Sequence, residues 1–343
     1  MKNEYFKNLK TCLIVGDGAI ESIPRSIENY RKIAVVYTSA LPKKFVNKIF
    51  ACLSGHDFYS YCEDERFSEK SLERAKLISD FLALNGFNRS DIIVAVGGGT
   101  ICDLAGFVAS VYMRGLAHIT VPTTMLCACD ACIGGKTAID AGNIKNGWGA
   151  FHQPVAAIVE TDIIADLPDK IFCGGLSEVV KYAALDSGFF DYLSRMSSPS
   201  SLKNDLENLI FNCLAIKAKI IGDDIEDKKG RRALNLGHTV AHAIEVKSGY
   251  KVPHSVSVAQ GVFAESSMSF ITRRISEKKF FDLYGMLIKF TPDFLPYTRA
   301  QSLIPYMRFD KKNGFSGVTF ALPTENSAEI CRFSEEELKT LLR

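Results

Sequence analysis

The sequence predicts an α/β protein, with a parallel sheet interleaved with helices in its first half and a mainly helical second half. Three observations carry this. Short β-rich runs alternate with helical stretches as far as residue 121. One of those runs, Asp91–Val96 (DIIVAV), ends on Gly97-Gly98-Gly99 and passes at once into a helical segment. From about Leu176 the pattern turns helical, and it returns to a strand only near the end. A chain of 343 residues is too long for one small core, and the change of pattern suggests domains of 1–160 and 161–343.

Leu13–Val15 and Ile33–Tyr37 read as short strands, and Leu41–Leu53 and Leu72–Leu84 as helices. The buried strand Asp91–Val96 is followed by the helix Ile101–Tyr112 and the strand His118–Val121. Strand, glycine turn and helix in that order are the ingredients of a Rossmann-like nucleotide-binding crossover. Glycines let the backbone approach a pyrophosphate, and the helix N-terminus supplies partial positive charge. The turn is not the G-x-G-x-x-G fingerprint, so a turn that only packs helix on strand is the competing reading.

From Thr123 to Pro154 neither helix nor strand is sustained. Lys136 follows Gly134-Gly135 and Lys145 precedes Asn146-Gly147, pairings that suit an anionic substrate or a cofactor phosphate. On Leu176–Leu185, Glu178 and Lys181 stand three apart and share a face, which taken alone reads as a surface ion pair. Asn204–Ile221 is amphipathic and carries Lys217 and Lys219, and Val258–Phe270 is a mostly apolar helix. Pro292, Pro296 and Pro305 break the tail before a final strand, Val318–Leu322.

A net charge of +2 without a basic block argues against nucleic acid or a membrane as the main partner. The opening residues hold too short an apolar run for a signal peptide, and no run approaches the ~18 apolar residues of a membrane span. Ten scattered cysteines fit a reducing cytoplasm better than a disulfide scaffold. Cys127, Cys129 and Cys132 lack a fourth cysteine at a matching spacing, so they read as small buried residues in a tight turn.

The densest polar stretch is Arg231–His254, RRALNLGHTVAHAIEVKSGYKVPH. His238 and His242 stand four apart, so on a helix both imidazoles leave one face and could hold a divalent metal. Arg231, Asn235 and His254 add convergent polarity that is costly unless something binds there.

Together these motifs resemble the 3-dehydroquinate synthase family of sugar-phosphate cyclases, more distantly related to glycerol dehydrogenases and iron-type alcohol dehydrogenases. The motifs are GGGTICDLAGF (97–107), YMRG (112–115), PTTML (122–126), DACIGGKT (130–137), IKNGWGAFHQP (144–154), GLSEVVKYA (175–183), RALNLGHTVAHAIE (232–245) and DKK (310–312). The resemblance implies an NAD-binding α/β domain and a helical metal- and substrate-binding domain, with the active site in the cleft between them. It implies NAD at Gly97, Gly98, Gly99, Asp103, Thr123 and Thr124, with Lys70, Lys136 and Lys145 as further contacts. It implies a divalent metal, zinc or cobalt, on Glu178, His238 and His254, which moves His242 from ligand to substrate-side histidine. Asp130, Lys136, Asn146, Lys181, Lys217, Arg231 and Asn235 match positions that hold the substrate, and Lys311 or Lys312 the late phosphate-binding lysine. Arg114 matches an arginine that reaches a neighbouring subunit's substrate, which implies a homodimer. The implied reaction converts 3-deoxy-D-arabino-heptulosonate 7-phosphate to 3-dehydroquinate and phosphate, a lyase step of the shikimate pathway.

Four departures from the family pattern stand out. The ligand histidine reads His254-Ser255-Val256-Ser257-Val258 in place of an H-G-E-A-V-like motif, which alters what surrounds the metal. Val36–Ser39 lacks the acidic residue that ends the corresponding strand, only Lys70-Ser71 of a G-E-x-x-K motif aligns, and Asp166 replaces a cofactor-contacting threonine. Two alternatives therefore stand beside the main reading. One is a sibling cyclase of the 2-deoxy-scyllo-inosose or valiolone synthase type, and the other a catalytically weakened NAD- and metal-binding homologue.

Overall fold

The computed structural model describes residues 1–64, 70–142, 144–227, 230–296, 300–307 and 317–342. The chain divides into two compact units, Met1–Pro168 with Leu206–Glu226, and Asp169–Asp205 with Asp227–Arg343. The helix Leu206–Gly222, expected with the second domain, belongs to the first unit.

The first unit holds β1 (Lys2–Phe6), β2 (Thr11–Gly16), β3 (Ile33–Thr38), β4 (Phe58–Glu63), β5 (Ile92–Gly97), β6 (Ala117–Pro122), β7 (Lys136–Ala141), β8 (Ile144–Phe151) and β9 (Ala156–Glu160). Seven of these form one sheet in the order β1-β2-β9-β6-β5-β3-β4. All neighbours are parallel except the edge pair β1 and β2. Strands buried on both faces read as continuous apolar runs, and β5 (IIVAVG) is buried at every position. The helices Leu72–Leu84 and Gly99–Val111 cover one face and share a core with Ala34, Val36, Ile93 and Ala95. From β3 the chain runs outward to β4, then returns past β3 to β5 and continues the other way. The switch in direction falls between β3 and β5, so the glycine turn after β5 occupies the position where such sheets bind ligands.

The stretch 123–154, which shows no sustained period, folds into a π-helical turn, Cys127–Ala131, and the antiparallel ribbon of β7 and β8. Outer positions of β8 are mostly exposed, so no buried face writes an alternation into its sequence. Edge strand β1 is silent for the same reason.

Among its described residues the second unit has helices and one antiparallel pair of strands, β10 (Val318–Pro323) and β11 (Ala328–Phe333). Its main helices are Leu176–Leu185, His238–Lys247, His254–Ile271 and Glu277–Phe290. Val240, Ile244, Met268, Leu303, Phe320 and Leu322 lie in one of its buried clusters. The helices beginning at His238 and His254 pack closely because Gly237 and Gly261 meet. A Cβ on Gly261 would lie 1.8 Å from the carbonyl oxygen of Gly237. Glu265, fully buried, accepts a hydrogen bond from the Gly237 N–H at 2.6 Å and locks the same crossing.

Candidate active site

In the first unit, Gly97 closes β5, Gly98 is the N-cap of the helix Gly99–Val111, and no side chain caps that helix. Gly97 is required by packing, since a Cβ there would lie 2.7 Å from Cβ of Ile101. Gly98 lies under the methyl of Thr124, and the N–H of Thr123 donates to the Gly97 carbonyl at 2.9 Å. At Gly99 the nearest neighbour of an added Cβ is 3.9 Å away, so the uncapped helix start stays open. Asp103, one turn further, accepts from Nζ of Lys70 at 2.6 Å, and the same ammonium donates to Oδ1 of Asn146. Burial raises the Asp103 carboxyl above its ordinary value, against the pull of the Lys70 charge. Asn146 holds a left-handed backbone (φ 51°), with its N–H on Asp140.

A second polar pair follows from the helix Leu206–Gly222. Its buried Lys217 donates to the Asp130 carbonyl at 2.7 Å and lies 3.2 Å from that residue's carboxylate. Asp130 sits on the π-helical turn, a local irregularity frequent at functional sites. Cys127, Cys129 and Cys132 of that turn are buried. A hydrogen bond with Cys102 holds the Cys127 thiol well above its ordinary range, and burial does the same for Cys132. Protonated thiols make poor ligands, in keeping with packing residues.

In the second unit, Glu178, His238 and His254 converge, each offering a donor atom within 4.8 Å of the others. Nε2 of His238 is 3.4 Å and Nε2 of His254 3.5 Å from Oε1 of Glu178. Each ligand is held from behind. Nδ1 of His238 donates to the Leu236 carbonyl at 3.1 Å, and Nδ1 of His254 lies 2.6 Å from Oε1 of Glu245. Oε2 of Glu178 lies 2.6 Å from Nζ of Lys181. Since a carbonyl only accepts, His238 carries its proton on Nδ1 and turns a lone pair at Nε2 toward Glu178. A carboxylate oxygen and two imidazole nitrogens facing one point fit a divalent cation of the zinc or cobalt kind.

Charge is arranged around this point so that a cation arriving there displaces a proton from His254. Burial alone would raise the Glu178 carboxyl, yet Lys181 and His238 hold it well below the ordinary carboxylate range. Burial lowers His238. Burial also works against charge on His254, but hydrogen bonds to Glu178 and Glu245 outweigh it and raise that group to about 9.

Glu178 and Lys181 share a helical face as their spacing predicts, but both are buried, so they are not the surface pair the spacing alone suggests. His242 meets His238 edge-on, with ring centroids 5.7 Å apart, and stays outside the donor group. The metal pair His238–His242 read from spacing alone is therefore not the arrangement found. Arg231 is buried in the short 3-10 turn Gly230–Asn235 that leads into His238, and Nδ2 of Asn235 donates to the Arg232 carbonyl. Lys136 begins β7, and Lys145 and Arg114 are exposed. Met113 and Arg114 both take left-handed backbone (φ 49° and 66°) at the YMRG turn. Lys311 and Lys312 lie outside the described residues. Sequence reasoning missed Glu245 and Glu265. Glu245 had a legible signal, since it stands seven residues after His238 and so on the same helical face.

A parallel sheet with an open glycine turn and a helical unit in which buried Glu178 meets the half-buried imidazoles of His238 and His254 together define the class of fold to compare. In line with this, the chain superposes on a 2-deoxy-scyllo-inosose synthase solved with carbaglucose-6-phosphate, NAD+ and Co2+ (TM-score 0.84, 22% identity, 97% of this chain and 96% of that one). It also superposes on a 2-epi-5-epi-valiolone synthase from Streptomyces hygroscopicus solved with NAD+ and Zn2+ (TM-score 0.81, 20% identity, 96% and 95%). The N-terminal model of 3-dehydroquinate synthase matches residues 62–173 and the C-terminal model residues 175–313. A 3-dehydroquinate synthase of Pyrococcus abyssi is 35% identical over 326 residues, 93% of this chain and 94% of that protein. The chain belongs to the 3-dehydroquinate synthase family. No helix among the described residues is long and apolar enough to cross a membrane.

Proposed function

We propose that the protein is a 3-dehydroquinate synthase, a phosphate-eliminating lyase of the shikimate pathway that acts on 3-deoxy-D-arabino-heptulosonate 7-phosphate. The observation that carries this reading is the Glu178–His238–His254 triad with buried Lys181 beside it, in a chain that matches this family from residue 62 to 313. When bound, NAD takes up and returns hydride, and the divalent cation polarises the hydroxyl being oxidised.

The chain's own residues supply binding, orientation and proton movement. Gly97–Gly99 and the uncapped helix start cradle the cofactor's phosphates, with Asp103, Thr123, Thr124, Lys70 and Lys145 around it. Glu178, His238 and His254 hold the cation. Lys136, Asn146, Lys181, Lys217, Arg231, Asn235, Asp130 and Lys311 or Lys312 match the charges and hydroxyls of a substrate with one carboxylate and one phosphate. His242 takes the proton released from the oxidised hydroxyl and gives it back on reduction. Arg114 reaches the substrate of a second copy in a homodimer, and the setting is the cytoplasm. Fixed cations around an elimination favour the departing phosphate because they need no rearrangement as its charge grows.

A sibling cyclase shares the fold, so fold likeness at 20–22% identity does not favour it over relatives at 35%. Purified protein with NAD and zinc or cobalt should release inorganic phosphate from the heptulosonate phosphate. Release from glucose 6-phosphate or sedoheptulose 7-phosphate instead would move the assignment to a sibling. Failure on all three with NAD and metal bound would refute the catalytic reading.

A further inference from the structure

Each of the three donor residues has an outer partner, and two of the three are easily accounted for. His238 leans on a backbone carbonyl of its own turn, and Glu178 on the lysine one turn along its helix. The third is different. Glu245 is buried, lies on the helix His238–Lys247, and reaches across the connection 248–253 to Nδ1 of His254 at 2.6 Å. A carboxylate in that position does three things to an imidazole ligand. It holds the proton on Nδ1, fixes the ring plane, and makes Nε2 a better electron donor. The run that follows His254, Ser255-Val256-Ser257-Val258, contains no acid that could do the same.

We infer that Glu245 is the positioning residue of this metal centre, the group that orients His254 and keeps Nε2 as its ligand atom. The inference rests on the reading of Glu178, His238 and His254 as metal ligands. It adds that metal affinity depends on a negative charge behind one of them. A competing role is a fold staple, because the same contact ties the end of one helix to the start of the next. The backbone carbonyl of Glu245 already closes that turn with the N–H of Tyr250 at 2.8 Å. The side chain is therefore not the sole link across it.

The two roles separate in Glu245→Gln, whose amide oxygen can still accept from Nδ1 while the charge is gone. Full-length protein is stripped with a chelator, and zinc affinity is measured by competition with a chromophoric chelator, without substrate or NAD. Glu245→Gln should bind zinc about 10- to 100-fold more weakly, measured on metal-free protein that circular dichroism shows to be folded. Its cobalt form should show altered visible ligand-field bands. Zinc affinity and cobalt spectrum equal to the parent's would overturn the inference and leave Glu245 a staple only. A lowered urea midpoint of the metal-free protein with unchanged zinc affinity would overturn it as well. Glu178→Ala and His238→Ala serve as the reference. If they too bind zinc like the parent, the ligand reading itself fails, a result distinct from failure of Glu245→Gln alone.

Discussion

A methyl group at Gly261 tests whether the two histidine-bearing helices must cross as closely as they do. Gly261 lies in the middle of the helix His254–Ile271, where glycine to alanine ordinarily stabilises by about 0.5–1 kcal/mol. Here the new Cβ would meet the Gly237 carbonyl oxygen at 1.8 Å and its carbon at 2.7 Å. Ordinary contact begins at 3.4 Å, so the helices must part by about 1.6 Å, and the obstacle is backbone that no rotamer change can move. Overpacking of this kind costs about 1–3 kcal/mol. The same shift strains the 2.6 Å bond from the Gly237 N–H to Glu265, a charge-assisted bond worth about 1.5–3 kcal/mol. Gly261→Ala should therefore destabilise the second unit by about 3 kcal/mol, with the sign opposite to the helical propensity. Because Gly237 immediately precedes His238, zinc affinity should fall with it. Gly285→Ala is the control. It lies in the helix Glu277–Phe290 with nothing within 4 Å of an added Cβ, and should stabilise slightly. Urea unfolding followed by circular dichroism reads both variants. A Gly261→Ala protein as stable as its parent would refute the close crossing.

Two further outcomes follow from buried charges. His118 is fully buried and stacks on His152, and burial first, then the neighbouring ring, lowers it from 6.5 to about 3. Its unfolded state thus binds a proton between pH 6.5 and about 3 that the folded state refuses, so stability falls as pH drops through that window, by up to about 1.4 kcal/mol per unit. His118→Gln should flatten that part of the curve and leave the slope above pH 6.5 unchanged; an unchanged acid limb would count against the buried neutral imidazole. Metal should act as a folding ligand of the second unit. Zinc at about 100 times its dissociation constant raises stability by about 2.7 kcal/mol, and Glu178→Ala should abolish that increment in thermal melts with and without chelator.

Much of the fold is legible because burial writes a period into the sequence. The helix Leu72–Leu84 and the strand β5 read almost to the residue, and the glycine turn stands where β5 ends. Elements exposed on one or both sides, such as β1 and β8, leave no such mark. The site is legible in a different way. Spacing on one helix can only compare residues of that helix, so it paired His238 with His242. The second and third donors come from the starts of two other helices, and no local period reports a contact between Glu178 and His254, 76 positions apart in the chain. Motif order carried that information where periodicity could not. Lys217 is similar, since its helix joins the first unit and meets Asp130 there, although it follows residues of the second.

The departure after His254 gains a physical sense from these contacts. Ser257 and Val258 face inward, fully buried, on a helix that packs against both the helix carrying Glu178 and the helix carrying His238. Small and apolar residues there let the helices come close, as the meeting of Gly237 and Gly261 requires. Glu265, three turns along, anchors the N–H of Gly237 and thereby the start of the neighbouring helix. The carboxylate behind His254 is that of Glu245 on the preceding helix, while position 256 carries valine. Removing the charge at Glu245 should therefore weaken metal binding, whereas Val256→Glu should not strengthen it, because Nδ1 of His254 is already occupied. A gain in zinc affinity for Val256→Glu would show instead that the parent site lacks an outer acid.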